Sequence, residues 1–219
     1  MPETRSPHPS FPRAAQAEVR LREGLKALDL DPALAPPLMA YLALLLRWNR
    51  VYNLTAVRDP LDMVDLHLLD SLSVLPRVTG PRVADVGTGA GLPGIPLALA
   101  RPDWSVTLLD AVAKKVRFLR QAALELGLEN VTPVHGRVET YRPHQGFDTV
   151  ISRAFAASGT FVRQAGPLCA PGGRLLAMKG RDADDDPAAL PAGWGVAVTH
   201  PLRVPGLSAA RHLVEIRRL

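Results

Sequence analysis

Cysteine is nearly missing from this chain of 219 residues; Cys169 stands alone. An internal disulfide and a thiolate metal cluster are therefore excluded, as fits a reducing compartment. Long apolar runs are lacking too, and the longest, Leu38 to Leu46, falls short of the roughly 20 residues a bilayer-crossing helix needs. The opening Met1-Pro2-Glu3-Thr4-Arg5-Ser6-Pro7-His8-Pro9 has an acid and prolines where a secretory signal has a basic and then an apolar stretch. The expectation is a cytoplasmic protein, without membrane or metal partner, that works as a monomer. Lysine is scarce: of 26 basic residues only 4 are Lys and 22 are Arg. The net charge of +5 and pI near 9.9 suit a nucleic-acid partner. An arginine excess beside abundant alanine and proline also follows from GC-rich coding, so charge permits RNA without showing it.

What is present divides in two. Residues 1–13 read as a flexible tail, and residues 14–80 as a helical extension. Apolar residues recur at helical spacing from Ala14 to Leu28, again from Pro37 to Trp48, and from Pro60 to Leu75 with Asp59 as N-cap. Thr79-Gly80-Pro81 marks a boundary, and residues 81–219 read as a second unit. There, strands are expected at 82–87, 105–110, 131–135, 147–152 and 173–179, alternating with helices at 94–101, 113–127, 137–141 and 158–168. Alternation of this kind predicts an α/β fold with a parallel, Rossmann-like sheet carrying helices on both faces. Val196-Ala197-Val198 and Leu213-Val214-Glu215-Ile216 have no helix between them, only a loop with Pro201, Pro205 and Gly206, and read as a closing antiparallel strand pair. Asp182 to Asp186 reads as a solvated acidic turn.

The segment Val83 to Gly94 carries the most chemistry: a short apolar strand, the acid Asp85, a glycine-packed turn, then a helix start. Glycine lets the backbone turn tightly and approach a ligand closely. Gly89, Gly91 and Gly94 make a literal G-x-G-x-x-G, the dinucleotide fingerprint, and Asp110 follows where a ribose-binding acid belongs. Asp85 with Gly87, Gly89 and Gly91 makes instead D-x-G-x-G-x-G, the pattern of S-adenosylmethionine (SAM) methyltransferases. An acid beside the turn repels a pyrophosphate and suits the ammonium and sulfonium of SAM. In open α/β sheets the ligand lies beyond the carboxyl ends of the strands, which collects Asp85, Gly87, Asp110, Arg137-Val138-Glu139, Ser152-Arg153 and Lys179 on one rim.

From about Asp29 onward the chain resembles the RsmG (GidB) family of bacterial methyltransferases. The matching elements are Trp48-Asn49, Asn53-Leu54-Thr55-Ala56, His67-Leu68-Leu69-Asp70-Ser71-Leu72, Asp85 to Pro96, Leu109-Asp110, Lys114-Lys115, Arg137-Val138-Glu139, Ser152-Arg153-Ala154, Met178-Lys179-Gly180 and Arg211-His212-Leu213-Val214, in that order. Ser208-Ala209-Ala210 stands where the family often has a Gly-Glu pair. The resemblance implies a class I SAM-dependent methyltransferase fold acting on N7 of a guanine in 16S rRNA, at position 527. The substrate would be that RNA or a small-subunit assembly particle, and the product S-adenosylhomocysteine. It also implies a cofactor site on Gly87, Leu92, Val138, Glu139 and Arg153, to which residue reading adds Asp85, Gly89 and Asp110.

Guanine N7 has an available lone pair, so its methylation needs positioning rather than a general base. Arg or Lys is the natural donor to the adjacent O6. The candidates are Arg153, Lys179 and Arg211, with Asn53 as a neutral alternative. The Asn/Asp-Pro-Pro-aromatic motif of exocyclic-amine methylation is absent. Cys169, ahead of Pro171-Gly172-Gly173 in a turn-like setting, reads as a small packing residue rather than a nucleophile. His67 and Asp70, at i and i+3, are too few for a metal site and read as a structural hydrogen-bonding pair or a substrate-facing one. Lys114, Lys115, Arg117 and Arg120 are either a solvated basic face or phosphate contacts. A small-molecule methyltransferase, a nicotinamide oxidoreductase and a non-enzymatic RNA-binding module are the rival readings.

Overall fold

The structure, a computed structural model, describes residues 11–155, 157–180 and 190–219. Residues 1–10 of the expected tail and the acidic stretch Asp182 to Asp186 lie outside the described residues. Seven strands form one sheet: β1 (Arg82–Val86), β2 (Ser105–Asp110), β3 (Val131–His135), β4 (Phe147–Ser152), β5 (Cys169–Lys179), β6 (Trp194–Leu202) and β7 (Arg211–Arg218), in the order β3-β2-β1-β4-β5-β7-β6. The first five are parallel to one another, and β7 runs antiparallel to both β5 and β6. Chain order reverses between β1 and β4, so their carboxyl ends open a crevice of the kind that holds ligands in such sheets.

The helices are α1 (Ala14–Ala27), α2 (Ala35–Tyr52), α3 (Pro60–Met63), α4 (Asp70–Leu72), α5 (Gly94–Ala100), α6 (Ala113–Glu125) and α7 (Ser158–Ala165). Asp59 caps α3 as expected, accepting from Leu61 N at 2.8 Å and Asp62 N at 3.3 Å. The helix expected over Pro60 to Leu75 is interrupted, because Val64–Leu69 between α3 and α4 adopts the wider π geometry, which often occurs at functional sites. Residues 137–141 form a turn instead of the expected helix, with Thr140 N and Tyr141 N both donating to Arg137 O. Pro143 explains the arrest, since it disfavours helical geometry at Arg142 and supplies no N–H.

Strand β5 begins earlier than expected. Phe147 pairs with Cys169 but Thr149 with Arg174, so residues 170–173 bulge out of the ladder. The turn-like setting read around Cys169 is this bulge, and the thiol is buried in a strand end. Pro201 likewise belongs to β6 and not to the loop before β7.

One continuous core joins α1, α2 and the π-helical segment to α5, α6 and one face of the sheet, through residues such as Leu21, Leu42, Leu68, Ile95, Phe118 and Leu176. The other face packs under α7 through Phe161, Val162 and Val150, with Val138 and Tyr141 of the 137–141 turn against it. Arg20 on α1 clamps Asp65 of the π segment through two hydrogen bonds, one of them 2.8 Å from Nε. The N-terminal helices are thereby fixed over the carboxyl edge of the sheet, where they wall the crevice.

Candidate active site

The floor of the crevice is the turn after β1. Gly87, Gly89 and Gly91 all have positive φ, of 68°, 63° and 90°. A Cβ on Gly87 would lie 2.7 Å from Cβ of Ala154, so glycine is required there for space as well as conformation. Asp85 does not reach the crevice. It is fully buried beneath the turn, where its Oδ2 accepts from Thr88 Oγ1 at 2.5 Å and from Gly94 N, the first residue of α5, at 2.8 Å. Burial pushes its carboxyl up to about 6 against the lowering effect of those hydrogen bonds. The acid read as facing a cation is therefore one that shapes the turn from below.

Asp110, at the end of β2, is 5% exposed; its Oδ2 accepts from Gly89 N at 2.9 Å and its Oδ1 from Val112 N at 2.8 Å. Lys115 Nζ stands 3.6 Å from Oδ2. Tyr41, fully buried in α2, donates to Ala90 O at 2.6 Å and so ties the helical layer to the glycine turn. Burial raises its phenol well above the usual range. Sequence reasoning passed over this residue. Its signal was a lone hydroxyl inside the apolar run Leu38 to Leu46, which must find a partner when buried.

The opposite wall is made of side chains. Asn49 on α2 accepts from Thr55 N at 2.9 Å, shaping the Asn53-Leu54-Thr55 loop. Thr55 Oγ1 sits 2.9 Å from His67 Nε2. Burial is the main reason the His67 ring is driven down to about 4, so it is neutral at physiological pH. Ser152 donates to Val86 O at 2.7 Å and accepts from Ala154 N at 3.0 Å, which turns Arg153 toward the crevice. Arg153 Nη1 donates to Asp70 Oδ2 at 3.0 Å and to Leu66 O of the π segment at 3.1 Å. Lys179, at the end of β5, donates to Phe155 O at 3.2 Å and is 6% exposed.

These two walls enclose a cavity of about 450 Å³. Of the sequence-derived site residues, Gly87, Gly89, Leu92, Arg153, Lys179 and Arg211 line it. Asp85 lies under it, and Asp110 supports its edge through Gly89. Asn53 is displaced: it is the exposed left-handed C-cap of α2, its Oδ1 accepts from Arg58, and its neighbours Leu54 and Thr55 line the cavity in its place. Val138 and exposed Glu139 follow β3, beyond the cavity lining. Of its charged lining groups three are cationic, Arg153, Lys179 and Arg211, and one is anionic, Asp70. With His67 neutral, the lining carries an excess of positive charge and suits an electron-rich or anionic ligand. The fit to SAM is good: a glycine floor that a side chain would fill, an acid holding the turn at the end of β2, and a guanidinium able to meet a carboxylate. Among the described residues no three His, Cys, Asp or Glu are grouped to hold a metal, and no helix is long and apolar enough to cross a membrane.

Comparison with solved structures defines the class. The structure of TrmN from Thermus thermophilus matches with a TM-score of 0.56 and 21% identity, over 78% of this chain and 53% of that one. The glycopeptide N-methyltransferase MtfA complexed with SAM matches with a TM-score of 0.56 and 16% identity, over 70% and 87% of the two chains. The fold is that of the class I SAM-dependent methyltransferases, with the α1–α4 helical layer added.

The particular family follows from sequence. The model for rRNA small subunit methyltransferase G (GidB) matches residues 35–214. The ribosomal RNA small subunit methyltransferase G of Azoarcus sp. (strain BH72) is 54% identical over 202 residues, spanning 91% of this chain and 95% of that protein. Its counterpart in Xanthomonas axonopodis pv. citri is 49% identical over 205 residues, 94% and 97% of the two chains. The chain belongs to this family and is a SAM-dependent methyltransferase. The dinucleotide fingerprint of Gly89, Gly91 and Gly94 is a coincidence of spacing; Gly94 is instead the helix start that Asp85 holds.

Proposed function

We propose that this enzyme methylates N7 of a guanine in 16S rRNA, at the position numbered 527 in the family, acting as a cytoplasmic monomer on the RNA or a small-subunit particle. The observation that carries the reading is a glycine-floored cavity whose lining sets three cationic side chains, Arg153, Lys179 and Arg211, against the single carboxylate of Asp70. When bound, SAM would supply an electrophilic sulfonium methyl, to which guanine N7 would donate its lone pair as the sulfur leaves in S-adenosylhomocysteine. Because that lone pair is already available, the protein has no proton to remove and must hold the base in a reactive geometry.

Gly87 and Leu92 form the part of the floor and wall that receives the amino-acid end, with Arg153 on its carboxylate. Asp110 accepts from ribose hydroxyls, and Val138 and Glu139 bracket the adenine beyond the cavity. Arg211 and Lys179 donate toward guanine O6, drawing density from the ring as it becomes cationic and fixing which edge of the base faces the methyl. Asn53 acts one step removed, by ending α2 so that Thr55 reaches the cavity. On α6, exposed Lys114, Arg117 and Arg120 meet phosphates, while Lys115 is drawn inward to Asp110. The test is transfer of labelled methyl from SAM to small-subunit RNA and particles, followed by mapping. Label at a single guanine N7 is expected; label elsewhere, or none, overturns the reading.

A further inference from the structure

The wall facing the glycine turn sets two guanidiniums on one carboxylate. Asp70 is 3% exposed and borders the cavity. Its Oδ2 takes the hydrogen bond from Arg153, and its Oδ1 lies 3.1 Å from Arg211 Nε, an ion pair not aligned as a hydrogen bond. The three side chains come from distant parts of the chain: Asp70 opens α4 directly after the π segment, Arg153 follows β4, and Arg211 starts β7. Arg153 is held further by Leu66 O, and Arg211 lies close to Gly180, where a Cβ would come within 3.2 Å of Nη1. Two guanidiniums so close repel each other, and the carboxylate between them is what makes the arrangement favourable. Each arginine has more donors than Asp70 and Leu66 occupy. The other titratable groups in the lining are the neutral His67, His212 beside Arg211, and the cationic Lys179. The transfer step itself gives Asp70 no task.

We infer that Asp70 is a positioning residue that locks Arg153, on the cofactor side, to Arg211, on the base side, so that the two half-sites are set as one unit. This rests on the assignment of those two arginines in the proposed function. The π geometry of Val64–Leu69 belongs to the same device, because it brings Leu66 O and Asp70 onto one guanidinium. Loss of the Asp70 charge frees both arginines at once, which a defect in either alone does not do.

The test compares Asp70→Asn, Asp70→Glu, Arg211→Ala and the Asp70→Asn/Arg211→Ala double variant. SAM affinity is measured by calorimetry and kcat with small-subunit RNA. Asp70→Asn is expected to weaken SAM binding and lower kcat by roughly tenfold or more each, the scale of one charge-assisted hydrogen bond. Arg211→Ala is expected to lower kcat in the native background and to add little once Asp70→Asn is already in place, and Asp70→Glu is expected to recover part of both losses. Unchanged SAM affinity in a folded Asp70→Asn protein, or fully additive losses in kcat, overturns the inference. If Asp70→Asn does not fold, Asp70→Glu decides: SAM affinity and kcat lowered together supports the lock, and native values of both contradict it. Methyl found on another base atom defeats the proposed reaction, whereas the SAM-affinity measurements on the Asp70 variants judge Asp70 separately.

Discussion

The two walls of the cavity are built from different materials. The glycine floor is backbone: three positive-φ glycines within five residues, braced from beneath by Asp85, at the edge by Asp110 and from above by Tyr41. The facing wall is side chain, with Thr55, His67, Asp70, Arg153, Lys179 and Arg211 drawn from two loops, the π segment, α4 and strands β5 and β7. A backbone cradle is local, so it is written in a dozen consecutive residues and shared across a large class of enzymes. A side-chain wall is assembled only by the fold, and it can be specific to one substrate.

The largest way to break the comparison lies in the floor. Gly87→Val places a β-branched residue at φ 68° and drives it against Ala154. SAM affinity measured by calorimetry is expected to fall on the order of 100-fold. In the facing wall, Arg153→Ala leaves the buried Asp70 with Arg211 alone and Leu66 O without its guanidinium. Chemical denaturation should show a loss of about 2–3 kcal/mol, with weaker SAM binding.

Tyr41→Phe tests whether the helical layer sets the floor. It removes the hydroxyl that donates to Ala90 O, and about 1–2 kcal/mol of stability should go with it, accompanied by a modest loss of SAM affinity. A loss of stability with SAM affinity unchanged would confine Tyr41 to packing.

The walls also answer pH with opposite signs. His67 titrates near 4 in the folded protein and ordinarily at 6.5, so between those values the unfolded chain takes up a proton the folded ring refuses, and stability falls as pH drops. Asp85 titrates near 6 rather than 3.8, so over that interval the folded carboxyl keeps a proton the unfolded chain releases, and stability falls as pH rises. The two oppose each other between about 4 and 6. His67→Gln removes one of them, and should gain on the native protein by about 2 kcal/mol as pH falls from about 7 to about 5, by urea denaturation. The smallest effect is on the outer surface: Lys114→Glu should lower RNA affinity and flatten its salt dependence by about one unit of slope, leaving SAM affinity intact. The same change at Lys115 should disturb both, because that amine faces Asp110.

Legibility in the sequence follows the same division. The parallel strands and their helices were readable because burial on both faces imposes unbroken apolar runs, as in Leu175 to Met178, and caps such as Asp59 act locally. The turn at 137–141 was misread because Val138 and Tyr141 keep helical spacing while Pro143 ends the helix, and periodicity alone does not weigh that stop. The π segment was invisible for a similar reason, since Leu68, Leu69 and Leu72 fit an α pattern equally well. Asp85 was recognised as important, but its side chain faces inward, which depends on the register of β1 and the depth of α5. Asn53 was misplaced by one loop position, because a left-handed cap redirects the chain. The pairing of Asp70 with Arg153 and Arg211 spans more than half of the chain, and no local pattern encodes it.

The most direct measurement of the two-wall account is a structure with S-adenosylhomocysteine bound. The account predicts its carboxylate on Arg153 beside Gly87, its ribose on Asp110, and its sulfur facing the space between Thr55, Lys179 and Arg211. A ligand seated away from the glycine floor, or one whose sulfur faces away from that space, would contradict it.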